Sequence, residues 1–165
     1  MKRILFVCHG NICRSPMAEF VFRKMVKDCG REDDFYIESA AVSDEEYGNP
    51  IYPPARRCMS QHGIPFDSSK TARTMTRRDY EAFDLIIIMD GSNRRWLRYI
   101  IGEDTQDKVR MMMSFAAKHS LPSVRQPVHC GPNAQFSTRS PSFGSASGAF
   151  SGRWTRGPLP PFVVR

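Results

Sequence analysis

Acidic side chains are absent from the last 58 of the chain's 165 residues; all 17 lie at or before Asp107. The first 107 residues set 16 lysines and arginines against them, a net charge of −1. Residues 108–165 hold eight cations and no acid, so the formal total of +7 is a property of the end of the chain. A basic total invites a nucleic-acid reading. These cations are scattered among Ser, Pro and Gly rather than gathered on a helix face, so no nucleic-acid partner is expected. The sequence also lacks any apolar run near the roughly 18 residues that cross a bilayer. The four apolar residues 4–7 are too few for the core of a signal peptide. No membrane partner is expected, and the expected location is the cytoplasm. Five cysteines at irregular spacing exclude a regular disulfide framework and suit a reducing compartment. Neither Cys-x-x-Cys nor His-x-x-x-His occurs, so no metal is expected. Oligomeric state is not legible.

What is present is ordinary for a globular protein, with 41% hydrophobic and 25% charged residues in one domain's length. Residues 2–7 read as a buried strand. A helix follows, with Ser15 as N-cap, Pro16 at the first helical position, Glu19 near the positive end and Gly30 as terminator. Its apolar face is read as Met17, Phe20, Val21 and Met25. A second strand is expected over 35–40, then a Gly/Pro-rich loop over 47–54 and a helix to about His62 that Gly63 stops. Thr76 caps a short helix over 77–83. Residues 85–89 are the clearest central strand; Trp96, Leu97, Ile100 and Ile101 mark a helix ending at Gly102; residues 109–113 make a fourth strand. Strands alternating with helices imply an α/β fold with a four-stranded parallel sheet and helices on both faces. Residues 1–117 form the expected domain. Residues 118–165 read as a Ser/Pro/Gly/Arg-rich tail without fixed structure, and a shifted reading frame would produce the same break.

The chemistry concentrates in Cys8-His9-Gly10-Asn11-Ile12-Cys13-Arg14-Ser15, between a strand and a helix. A loop feeding a helix N-terminus aims several backbone N–H groups into one concavity, an anion site. His9, Gly10, Asn11, Ile12, Cys13 and Arg14 are the candidate phosphate-binding residues. Gly10 is expected to let the backbone curl tightly. The planar fork of Arg14 can hold two phosphate oxygens. Cys8 stands where the field favours a thiolate, the form that attacks a phosphoryl group. Ser15 can donate to that sulfur when it leaves, and Asn11 holds the loop's shape. The candidate catalytic residues are therefore Cys8, Arg14 and Ser15.

Residues 4–19 resemble the signature of the low-molecular-weight protein tyrosine phosphatases, in a bacterial-type member. The resemblance continues through Ser39-Ala40-Ala41-Val42, Gly48-Asn49-Pro50, His62-Gly63-Ile64, Ala72-Arg73 and Phe83-Asp84, to Met89-Asp90, and stops near residue 117. It implies a phosphocysteine intermediate on Cys8, phosphate binding by Arg14, no cofactor, and phosphotyrosine proteins or small phosphomonoesters as substrates. It also implies Cys13 as a cysteine that bonds reversibly to Cys8 under oxidation.

Such phosphatases carry an Asp-Pro-aromatic segment near the C-terminus whose Asp protonates the leaving phenolate. This chain has no counterpart, so the general acid is unknown and reduced activity is expected. Asp90, Asp104 and Asp107 remain, and Asp90 reads as a residue that orients a loop rather than a proton donor. Tyr47 or Tyr52 is a candidate aromatic wall. Ile12 favours phosphotyrosine over the phosphoarginine taken by a related branch, which carries Thr there. An arsenate reductase of the same fold, and a catalytically impaired phosphate-binding module, are the remaining alternatives.

Overall fold

A continuous apolar run, with no alternating polar face, forms the middle of the sheet. In the computed structural model, which describes residues 1–116, Lys2–Cys8 is β1 and its last five residues are all buried. Burial on both faces suits a parallel sheet covered above and below. Phe35–Ala41 (β2) pairs in parallel on one side of β1 and Leu85–Ile88 (β3) on the other. Val109–Met111 (β4) adds beyond β3, giving the order β2-β1-β3-β4. The expected four-stranded parallel sheet is therefore observed. The last strand is shorter than its sequence suggests, because residues 112–115 coil into a 3-10 turn.

The described α-helices are Arg14–Asp28 (α1), Pro53–Gln61 (α2), Arg77–Ala82 (α3) and Gly91–Ile101 (α4), and Glu32–Asp34 makes a 3-10 turn before β2. Strand periodicity sends Ile4 and Phe6 to one face and Leu5 and Val7 to the other. On the first face Ala18, Phe22 and Val26 of α1 pack with Ile4, Phe6, Ile37, Leu85 and Ile87. On the second, Tyr80, Leu97 and Ile101 of α3 and α4 close over Leu5, Val7, Ile86 and Ile88. α2 lies off the sheet, its Ala55 and Met59 packed with Phe20 of α1.

Three readings of α1 need correction. Its helical turns begin at Arg14 with Cys13 at the cap, so Ser15 and Pro16 fall inside the first turn. Pro16 is harmless there, since the first four amides of a helix lack partners anyway. Val21 is exposed and Val26 buried, because the helix serves two clusters instead of one apolar stripe. Glu19 is 1% exposed, a buried charge and not a dipole-facing surface residue. The terminator holds: Gly30 at φ +63° lets its own N–H and that of Arg31 reach the carbonyls of Lys27 and Val26. Thr76 caps α3, accepting from the Asp79 N–H while the Asp79 carboxylate accepts from the Thr76 N–H. The tail reading for 118–165 lies outside the described residues.

Arg73 ties β2 to α3, with its guanidinium 2.7 Å from Glu38 and 3.1 Å from Asp79. Burial pushes both carboxyls up. Bonds from Arg73 and Thr76 to Asp79, and from Tyr36 and Arg73 to Glu38, more than offset this and leave each below its ordinary value. Groups depressed in this way add stability above their ordinary pKa of about 4. That stability is lost as pH falls through the lower folded value. Urea unfolding midpoints are therefore expected to stay level from neutral pH to about 5 and to drop in more acid solution. Arg73→Met should make that acid limb shallower; an unchanged limb would show that other carboxylates produce it.

Candidate active site

Only residues 9–13 separate the end of β1 at Cys8 from the start of α1 at Arg14. Because β1 lies between β2 and β3, this crossing sits in the crevice between the segments that leave both neighbours. The carbonyls of Cys8 and His9 accept from the amides of Val42 and Ser43, at 2.9 and 3.1 Å, and the Ile12 carbonyl accepts from Tyr52 N–H at 2.8 Å. In a trans peptide the next N–H points opposite to the C=O. The N–H groups of His9, Gly10 and Cys13 therefore face away from the supports that hold the carbonyls of Cys8, His9 and Ile12. The Asn11 N–H points at the Cys8 sulfur, 3.3 Å away. These amides stand at the N-terminus of α1, an arrangement suited to an anion.

The tight turn belongs to Asn11, at φ +55°, and not to Gly10, whose φ is ordinary. Asparagine is among the few non-glycine residues that enter this region readily. Glycine is needed at position 10 for room, since a Cβ there would lie 2.8 Å from Glu46 Cγ.

A buried polar chain fixes the loop from below. Cys8 Sγ lies 3.0 Å from Ser15 Oγ. The Asn11 amide donates to Ser15 Oγ at 2.9 Å and to Ser39 Oγ at 2.8 Å. Ser39 donates to Glu19 at 2.6 Å, and Glu19 is paired with Arg23 at 2.9 Å and Lys70 at 3.0 Å. The Asn11 carbonyl oxygen accepts from the Arg73 N–H at 3.2 Å. Buried polar groups are stable when every member is bonded, and among the described residues no buried side-chain N or O lacks a partner. The sequence reading found Asn11 and Ser15 but missed Ser39, Glu19 and Lys70. A signal existed: Ser15 and Glu19 are four apart, on one helix face that also turns inward.

Arg14 reaches across the loop to Asp90, with Nη1 2.5 Å from Oδ2. Asp90 is also the N-cap of α4, accepting from the Asn93 N–H at 2.8 Å. Partial burial raises its carboxyl, but the Asn93 amide, the Arg14 guanidinium and the Ser92 amide hold it below the ordinary carboxylate range. Asp90 is thus a charged anchor at neutral pH, with no proton to give. Asp104 accepts from Tyr80 Oη and from the amides of Lys108 and Val109, and Asp107 pairs with Arg110. Both lie below their ordinary value: burial raises Asp104, but its bonds from Val109 and Tyr80 outweigh this, while the Arg110 bond lowers Asp107.

At the mouth, His9 Nε2 is 3.2 Å from Glu45 Oε2 on one side, and its ring meets Trp96 edge-on at 5.6 Å on the other. α4 runs from Gly91, five residues before the apolar positions that marked it, and Trp96 is 43% exposed instead of facing the core. Tyr47 is exposed and Tyr52 packs against the Phe20 cluster. Cys13 packs with that cluster too. Among the described residues no three His, Cys, Asp or Glu side chains converge as metal ligands would.

The sequence profile described as low molecular weight phosphotyrosine protein phosphatase matches residues 3–140. The chain belongs to this family. Its Homo sapiens member is 50% identical over 94 residues, covering 57% of this chain and 58% of that protein. The aligned stretch therefore spans less than two thirds of the human phosphatase. The Gallus gallus member is 49% identical over 123 residues, covering 73% of this chain and 77% of that one. Among solved structures, the low molecular weight protein tyrosine phosphatase of Streptococcus pyogenes superposes with a TM-score of 0.63 at 40% identity, covering 67% and 71% of the two chains. Identity is higher to the two vertebrate phosphatases than to the streptococcal one. The family match also runs past residue 117, where the motif resemblance stops.

Proposed function

We propose that the protein hydrolyses phosphotyrosine and small phosphomonoesters through a phosphocysteine intermediate. One observation carries this reading: the Asn11 N–H points at the Cys8 sulfur, 3.3 Å away, in the loop that opens α1. The phosphate docks against the loop amides and the Arg14 guanidinium, which moves from Asp90 or shares it. The Cys8 thiolate attacks phosphorus in line while the bond to the aryl oxygen breaks. The amides and Arg14 stabilise the charge on the three equatorial oxygens. Water then attacks the phosphocysteine, and Ser15 donates to the departing sulfur, 3.0 Å away. Cys13 serves as the oxidation partner of Cys8, and the bulk of Ile12 favours an aryl phosphate. The protein works in the cytoplasm, without a nucleic-acid or membrane partner; among the described residues no helix is long and apolar enough to cross a membrane.

Acid-quenched turnover of p-nitrophenyl phosphate tests the intermediate. Mass spectrometry is expected to find phosphate on Cys8, at a level that falls when orthophosphate competes. Phosphate on His9 or Ser15 instead would overturn the assignment.

A further inference from the structure

We infer that Trp96 is a specificity-determining residue, forming with Tyr99 an aromatic platform that receives side chains flanking the phosphotyrosine. This deepens the phosphatase reading and rests on it for the placement of the phosphoryl group.

Helix geometry puts Trp96 on the flank of α4 that looks toward the loop. Asn93, Leu97 and Ile101 define the buried side of the helix, and at 100° per residue Trp96 falls about 100° away from that side. Its ring meets the His9 ring at 5.6 Å and 70°, and the Tyr99 ring at 6.2 Å and 66°. Both are edge-to-face contacts of the favoured kind. The three rings form a continuous track, from the residue after Cys8 outward. Exposure rises along it: Trp96 is 43% exposed and Tyr99 86%. Large aromatics left open beside a site are the residues that anchor partners. Burying Tyr99 and the open half of Trp96 requires a ligand longer than one amino acid, since Cys8 and His9 stand at the inner end.

Charge states which ligand fits. On α4 the side chains of Arg94 and Arg98 leave the helix on the flank opposite Trp96, so the face beside the loop is aromatic. On the opposite side of His9 the loop after β2 carries Asp44, Glu45 and Glu46, with Glu45 3.2 Å from the His9 ring nitrogen. A peptide seated over the 9–13 loop therefore meets an aromatic wall on one side and an anionic wall on the other. The substrate class is a phosphotyrosyl peptide with an aromatic residue on its α4 side. Acidic residues on the other side are disfavoured by repulsion.

The test is peptide binding to full-length Cys8→Ser protein by fluorescence anisotropy, so that turnover is not required. Two phosphotyrosyl peptides are compared, one flanked by an aromatic residue and one flanked by alanines. The first is expected to bind about fivefold or more tightly, as one or two aromatic contacts would give. Adding Trp96→Ala should remove most of that preference, and Trp96→Phe should restore part of it. Equal affinities for the two peptides, or a preference that survives Trp96→Ala, would overturn the inference, as would the absence of binding. Failure of the phosphatase reading looks different: the parent protein would bind the peptides and leave their phosphate in place.

Discussion

Cys8→Ser is expected to cut turnover of p-nitrophenyl phosphate by about four orders of magnitude or more, because no neighbouring group can activate the replacement hydroxyl. The described partners of the Cys8 side chain are the Asn11 N–H and the Ser15 hydroxyl, which stabilise an anion but are too weakly basic to generate an alkoxide. Serine is nearly isosteric with cysteine, and Cys8 is 3% exposed in a bonded pocket. The thermal midpoint should therefore move little while activity disappears. Steady-state assays at high protein concentration, paired with a melt, separate the two effects. A residual rate close to the parent's would place the nucleophile elsewhere.

Leaving-group dependence is the second large effect. A proton delivered to the departing oxygen is worth typically 10²- to 10⁴-fold, and most for basic leaving groups. Asp90 is held as a carboxylate by Arg14 and two amides. Asp104 and Asp107 are committed to β4 and Arg110. No acid follows Asp107 in the sequence. Rates are therefore expected to fall steeply from p-nitrophenyl to phenyl phosphate and phosphotyrosine, by about 10² or more in kcat/KM. A series of aryl phosphates of graded leaving-group pKa measures the slope directly. A shallow slope would reveal a donor, and its pH profile would give that donor's titration.

The sequence reading reached the loop because its signal is local. A strand, a Gly, a Cys and an Arg six positions apart, and a helix start are contiguous, and the parallel sheet follows from apolar runs that need no knowledge of their neighbours. What it misread depends on contacts between distant segments. Ser15 looks like a helix cap because serine usually is one, but here its hydroxyl sits inside the first turn, between Cys8 and Asn11 and against the Ala40 carbonyl of β2. Gly10 suggests a tight curl, yet its smallness answers to Glu46, 36 residues on. Trp96 has the spacing of a core residue, and only the placement of α4 beside His9 leaves it open. Glu19 has the position of a dipole-facing charge, and becomes a buried anchor because Ser39 and Lys70 arrive from elsewhere in the chain.

That anchor bears on how the phosphate pocket responds when empty. The linkage from Glu19 through Ser39 to Asn11 is made wholly of protein side chains bonded to one another. A pocket held this way keeps its shape between turnovers, so its ordering entropy is borne during folding and not at each encounter with substrate. Oxyanions such as orthophosphate and vanadate should then associate without a slow reorganisation step, and product should leave without unfolding its cradle.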